Sequence, residues 1–169
     1  MSPGQSSGEL WRMLRRTWPI FCGVLAADAA SKWLAVLWLS EPPGSYAVLP
    51  IFSLTLVFNP GISFGLLGAN TTGQSWGLSG LGLAIIAFLV WLASRCPDRW
   101  EQTGYAVIIA GAVGNVADRM HDGLVTDFLD FHLAGWRFPT FNLADTAITL
   151  GAATIFLRAA LVRPPPAPA

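Results

Sequence analysis

Ten residues of the chain are acidic, and five of them, Asp118, Asp122, Asp127, Asp130 and Asp145, fall between residues 118 and 145. Carboxylates that converge can share a proton, one acting as base toward a water and the other as acid toward an oxygen. A window rich in acids also describes a solvated loop, and Asp122 and Asp130 are expected to be solvated loop acids, so for the others the local spacing has to discriminate. In Phe141-Asn142-Leu143-Ala144-Asp145, Asn142 suits the cap of a helix and Asp145 its third position, where the macrodipole favours a carboxylate. Asn115 and Asp118 are three apart and share a helix face, with Arg119 adjacent. Asp28 and Lys32 form an i,i+4 pair of opposite charge inside an apolar run, where ionisable groups are costly.

Other chemistries find less support. His121 and His132 lie near Asp122 and Asp127 but without compact ligand spacing, so no metal is expected. Ser53 and Ser63 have no histidine at a recognisable spacing for a serine nucleophile. No glycine loop of the phosphate-cradling kind is present. Ten Lys and Arg balance ten Asp and Glu, which leaves no basic field for nucleic acid. The two cysteines, Cys22 and Cys96, are too few for a disulfide framework and are expected as free thiols.

The elements that must position the acids are membrane helices. Of 169 residues, 53% are apolar and 12% charged, with mean hydropathy +0.52; the charged share is about half that of a soluble domain. Four apolar stretches, 18–39, 76–94, 102–118 and 142–161, approach the roughly 20 residues that a spanning helix needs. Arg12, Arg15, Arg16, Arg95, Arg99, Arg158 and Arg163 fall on one side of these spans, and only Lys32, Arg119 and Arg137 lie within or beyond the other face. The basic side is cytoplasmic by the positive-inside rule. Trp18 and Trp100 mark the inner interface, and Trp38, Trp76 and Trp136 the outer one. Basic residues, a short apolar run and Ala27-Asp28-Ala29 imitate a cleavable leader, but the apolar run resumes at Trp33–Leu39, as a spanning helix requires.

The expected fold is therefore an all-α membrane protein of four transmembrane helices with both termini cytoplasmic. Residues 1–17 form an amphipathic cytoplasmic start, 18–161 the membrane domain, and 162–169 a disordered, proline-rich tail. Ile51–Phe58 and Trp136–Phe141 read as strands of a small β-rich cap on the outer face. From Gln102 to Asp118 a helix rises about 24 Å, and from Asp145 to Arg158 about 20 Å. Asp118 and Asp145 thus sit near the outer interface, with Asp127 in the loop joining their helices. A small proton or ion transporter using Asp28, Lys32 and the interfacial acids is the competing function, although such a protein wants polar residues at mid-depth in several spans.

Five blocks together resemble the lipoprotein signal peptidases, the signal peptidase II family: Asp28-Ala29-Ala30-Ser31-Lys32, Asn59 to Phe64, Gly114-Asn115-Val116-Ala117-Asp118-Arg119, Val125-Thr126-Asp127-Phe128 and Phe141-Asn142-Leu143-Ala144-Asp145-Thr146. The resemblance covers about residues 18–160. It implies a four-span aspartic endopeptidase of the bacterial cytoplasmic membrane, with its site at the outer, periplasmic face. The implied catalytic pair is Asp127 and Asp145. Asn59, Asn115, Asp118, Arg119 and Asn142 would hold substrate or shape the site, supported by Asp28 and Lys32. The implied substrate is a prolipoprotein whose cysteine already carries diacylglycerol, cut just before that cysteine beside the membrane lipids, without cofactor or metal. Ala29, Pro60, Ile62 and Ser63 depart from the family's usual residues and bear on substrate fit.

The basic asymmetry predicts the outcome of reporter fusions. Fusions near residue 97 and at the C-terminus should report from the cytoplasm, and those near residues 70 and 130 from the outside. A C-terminus found outside would overturn the four-span topology.

Overall fold

The computed structural model describes residues 3–42, 44–61 and 72–161. Ile62, Ser63 and the tail 162–169, about which the sequence raised expectations, lie outside the described residues. Helix α1 (Pro3–Leu39) leads into strands β1 (Ser45–Leu49) and β2 (Phe52–Asn59), followed by helices α2 (Thr72–Arg95) and α3 (Arg99–Asp122). Strands β3 (Val125–Leu133) and β4 (Trp136–Arg137) precede helix α4 (Leu143–Leu161).

Helix α1 is one continuous element of 37 residues with Pro19 inside it, so the basic start and the apolar span are not separate pieces. At 1.5 Å per residue it is about 55 Å long, well beyond a hydrocarbon layer of about 30 Å. Its buried positions Thr17, Asp28, Lys32, Ala35 and Leu39 recur at helical spacing and form one stripe facing the rest of the bundle. The charged pair therefore points inward.

Among the described residues, three helices are long and apolar enough to cross a membrane: Gly8–Leu39, Ser75–Arg95 and Leu143–Leu161. Helix α3 is not in that class, and its place in the bundle explains why. It packs against α1, α2 and α4, so much of its surface meets protein and tolerates Glu101, Gln102, Asn115, Asp118 and Arg119. Small residues allow that approach. A Cβ on Gly104 would stand 2.9 Å from the Gly151 carbonyl oxygen, and one on Gly151 2.7 Å from that of Gly104. Of the glycines in 77–82, Gly82 abuts Val116, whereas Gly77 and Gly80 meet nothing within 4 Å among the described residues.

Both ends of α3 are fastened. Asp98 caps its start, accepting from the Trp100 and Glu101 amides, and Gly123 ends it in the left-handed conformation at φ 76°. Arg158 of α4 donates twice to Asp98 Oδ2, at 2.8 and 3.0 Å. The guanidinium holds that carboxyl well below its usual range, at about 2.

The four strands form an antiparallel sheet in sequence order. Strand β2 falls where Ile51–Phe58 suggested, shifted by one residue. The second expected strand shrinks to Trp136–Arg137, with Pro139 following and Phe141 making an isolated bridge to Leu129. Strand β3 corrects the sequence reading: the segment carrying Asp127 and Asp130 is not a loop but the partner of β2, pairing Val57 with Asp127 and Ser53 with Asp130. A bulge between Leu54 and Val57 shifts that register. Phe128 packs with Ala35 and Leu39 of α1, joined by Leu54, Leu56 and Leu129, which seats the sheet on the end of α1. The fold is mostly helical, with more sheet than composition suggested. Cys22 and Cys96 are both free, as expected.

Candidate active site

Asn142 stands at the centre of the polar interior and is fully buried. As the cap of α4, its Oδ1 accepts the Asp145 amide at 3.0 Å, while Asp145 Oδ2 accepts the Asn142 amide at 3.3 Å. This is the reciprocal capping arrangement that the i,i+3 spacing anticipates. The Asn142 Nδ2 group has two protons, and they go to Asp127 Oδ1 at 2.7 Å and Asn115 Oδ1 at 3.1 Å.

Each of the two aspartates is held by two donors. Asp127, 1% exposed, accepts from Asn142 on one oxygen and from Asn59 Nδ2 at 2.8 Å on the other. Half-buried Asp145 accepts from Asn115 Nδ2 at 2.7 Å and from the Asn142 backbone. Three asparagines from β2, α3 and the start of α4 thus fix two carboxylates from β3 and α4. Burial pushes the Asp127 carboxyl up to about 6; the Asn59 and Asn142 donors pull the other way, and the charge of Asp145 adds to the rise.

Beneath this layer lies Lys32, 5% exposed. Its ammonium has three protons and three acceptors: Asp28 Oδ2 at 2.8 Å, Asp118 Oδ2 at 3.0 Å and Asn115 Oδ1 at 3.2 Å. The other oxygen of Asp28 accepts the Ala144 amide of α4 at 2.8 Å, one of the donors a helix start leaves unpaired. Asp118 also accepts the Thr126 amide at 3.2 Å, one residue before Asp127. All nine residues named from the resemblance therefore gather in one region, with Arg119 at its edge. Arg119 donates to the Asn115 carbonyl at 3.3 Å, and its Nε is buried without a partner among the described residues. Asn59 Oδ1 accepts the Gly61 amide at 2.8 Å, and Gly61 sits at φ +96° against Arg119, where a Cβ would come within 3.3 Å of the guanidinium.

Two expectations about the remaining acids part company. Asp122 is exposed and pairs with His121 at 2.8 Å, as a solvated acid should. Asp130, expected to be solvated as well, is instead fully buried. Its Oδ2 accepts from Thr55 at 3.1 Å and Arg137 at 3.0 Å, partners that local spacing could not reveal. His132 meets Ser53 at 3.3 Å, and no group of three His, Cys, Asp or Glu side chains suited to a metal occurs among the described residues. Sequence reasoning also missed Gly114. A Cβ there would run into Asp28 Oδ2, so only glycine leaves room for that carboxylate between α3 and α4.

The profile of one family, described as signal peptidase (SPase) II, matches residues 20–161. A lipoprotein signal peptidase of Sinorhizobium fredii is 42% identical over 135 residues, covering 79% of this chain and 79% of that protein. One from Vibrio vulnificus is 45% identical over 112 residues, 65% of this chain and 67% of its own. Among solved structures, a bacterial membrane enzyme superposes with a TM-score of 0.74 at 25% identity, over 89% of this chain and 96% of that one.

Removing Lys32 tests the buried charge balance. Lys32→Met leaves two carboxylates facing each other without their cation, and breaking a buried pair costs about 3–5 kcal/mol. Thermal unfolding in detergent should show a large loss for Lys32→Met and partial recovery when Asp28→Asn is added. An unchanged midpoint for the single variant would show that the ammonium does not hold the interior together.

Proposed function

The chain belongs to the signal peptidase (SPase) II family, and on that premise we propose how this bacterial membrane peptidase of lipoprotein processing carries out its reaction. Family membership sets aside the transporter reading of the same acids. In the proposed arrangement all four helices cross the cytoplasmic membrane, α3 included because α1, α2 and α4 shield it. Both termini face the cytoplasm and the sheet lies at the outer, periplasmic face. The substrate is a prolipoprotein with a diacylglyceryl cysteine, cut just before that residue.

Asp127 and Asp145 are the proposed catalytic pair of an aspartic mechanism. The observation that carries this reading is the bridge made by Asn142, whose backbone amide meets Asp145 and whose side-chain amide meets Asp127. The proposed pair holds one proton between its two carboxyls. Asp145, in the first turn of α4, is assigned the role of base. It removes a proton from a water, the hydroxide oxygen bonds to the scissile carbonyl carbon, and Asp127 gives its proton to the carbonyl oxygen. Collapse of that tetrahedral species breaks the C–N bond, with a proton returned to the leaving amine. Asn59, Asn115 and Asn142 keep both carboxylates oriented, and Asp28, Lys32 and Asp118 fix the elements that carry them. Arg119 reaches substrate at the edge of the site.

Asp127→Asn and Asp145→Asn should each lower cleavage of a diacylglyceryl lipobox peptide by at least about a hundredfold, the usual scale of general acid–base catalysis, while the protein stays folded. Asp122→Asn should keep most of its activity. The same peptide with an unmodified cysteine should be cut poorly, since each buried methylene contributes about 0.8 kcal/mol. A dyad variant that still cleaves well, or a dead Asp122 variant, would remove the assignment.

The pH profile follows from Asp127. With its carboxyl raised to about 6, the shared proton is held below that pH and lost above it, so kcat/KM should fall on the alkaline side with an apparent pKa near that value. Asn59→Ala removes a donor that favours the ionised form, so the alkaline limb should move to higher pH. A limb that stays in place or moves down would contradict the proposed role of Asp127.

A further inference from the structure

Away from the carboxylates, at the other end of the bundle, α1, the end of α2 and the start of α3 enclose a cleft of about 750 Å³. Arg16, on its wall, precedes Asp28 by three turns of α1, or about 18 Å along the axis. Three guanidinium groups line the cleft, those of Arg12, Arg16 and Arg95, beside the apolar side chains of Leu10, Met13 and Pro97. Among the described residues, the only acidic side chain on the wall is that of exposed Glu9.

Among the described residues, the three arginines are engaged only by neutral groups. Arg16 donates to the Gln102 side chain, which is itself held by the Cys96 carbonyl at 2.6 Å. Arg12 Nε donates to the Gly8 carbonyl at 3.3 Å, and the Arg95 guanidinium lies 4.7 Å from the centre of the Trp91 ring. None has a carboxylate within 4 Å among the described residues, whereas Arg158 near the same end is paired with Asp98. A guanidinium has five N–H donors, so most of theirs remain open to a ligand.

We propose that this cleft binds the phosphodiester headgroup of an anionic phospholipid. Guanidinium forks match phosphate oxygens in geometry and charge. The apolar walls suit the glycerol and first methylenes of a lipid, and a free phosphate has no use for them. A zwitterionic lipid would bring its ammonium group among three cations. Trp11, Trp18 and Trp100 stand exposed at this end of the bundle, 66%, 60% and 55% respectively, as residues at a headgroup layer do. Basic clefts between helices at this level are recognised headgroup sites. The site is independent of the peptidase mechanism and shares no residue with it.

The test uses the full-length protein in a zwitterionic detergent, titrated with phosphatidylglycerol, phosphatidylcholine or glycerol 3-phosphate and read by native mass spectrometry and by thermal unfolding. Phosphatidylglycerol should be retained and raise the unfolding temperature, and the other two should do neither. Arg12→Gln/Arg16→Gln/Arg95→Gln should weaken retention by about tenfold or more, while peptide cleavage in the same detergent shows that it remains folded. Should the triple variant fail to fold, Arg95→Gln alone must still weaken retention severalfold. Arg99→Gln, also basic but outside the cleft, should leave retention unchanged. Equal binding of glycerol 3-phosphate or phosphatidylcholine would overturn the lipid assignment. Equal loss in Arg99→Gln, or none in the arginine variants, would overturn the cleft.

Discussion

Lys32 brings a full positive charge into the interior, and a charge there is tolerated only when it is matched and hydrogen-bonded. Its partners come from separate parts of the chain: Asp28 from its own helix, and Asn115 and Asp118 from α3. Those partners are themselves engaged further out. Asp28 takes the Ala144 amide and so fixes the start of α4, while Asp118 takes the Thr126 amide and so fixes the start of β3. Asp127 and Asp145 each follow one residue behind those two amides. The positions of both carboxylates are therefore consequences of how one ammonium is neutralised.

The close contacts of α3 serve the same constraint. Were Gly114 any larger, Asp28 would be displaced from both Lys32 and Ala144. The backbone contact between Gly104 and Gly151 holds α3 and α4 together lower down, and the Arg158–Asp98 pair closes that end. A helix packed against three others can be the most polar of the four, and α3 accordingly falls outside the helices apolar enough to cross a membrane.

What the sequence disclosed was local in origin. The cap formed by Asn142 and Asp145, the Asp28–Lys32 pair and the shared face of Asn115 and Asp118 all lie within one helical turn, and all appear in the structure with direct or shared partners. Strand β3 stayed hidden because its hydrogen bonds go to β2, some seventy residues earlier, and because its acids resemble loop residues until those partners are known. Asp130 illustrates the point: Thr55 and Arg137 supply the donors that make its burial affordable, and neither is near enough in the chain to be read as a neighbour. The resemblance supplied what spacing alone left open, namely which of five clustered acids belong together.

The hydrogen bond from Ala144 to Asp28 links residues separated by 116 positions, and this has a bearing on biogenesis. Helix α1 leaves the ribosome first and α4 last, so Asp28 must wait for nearly the whole chain before its second oxygen is satisfied. Until then Lys32 and its acidic neighbours lack part of their final shell in a medium that penalises such groups. A chain that ends before α4 therefore carries buried polar groups without their full set of partners. The Ala144 amide arrives on the same helix start as Asn142, so Asp28 gains its last partner in the same event that brings Asn142 to Asp127 and Asp145.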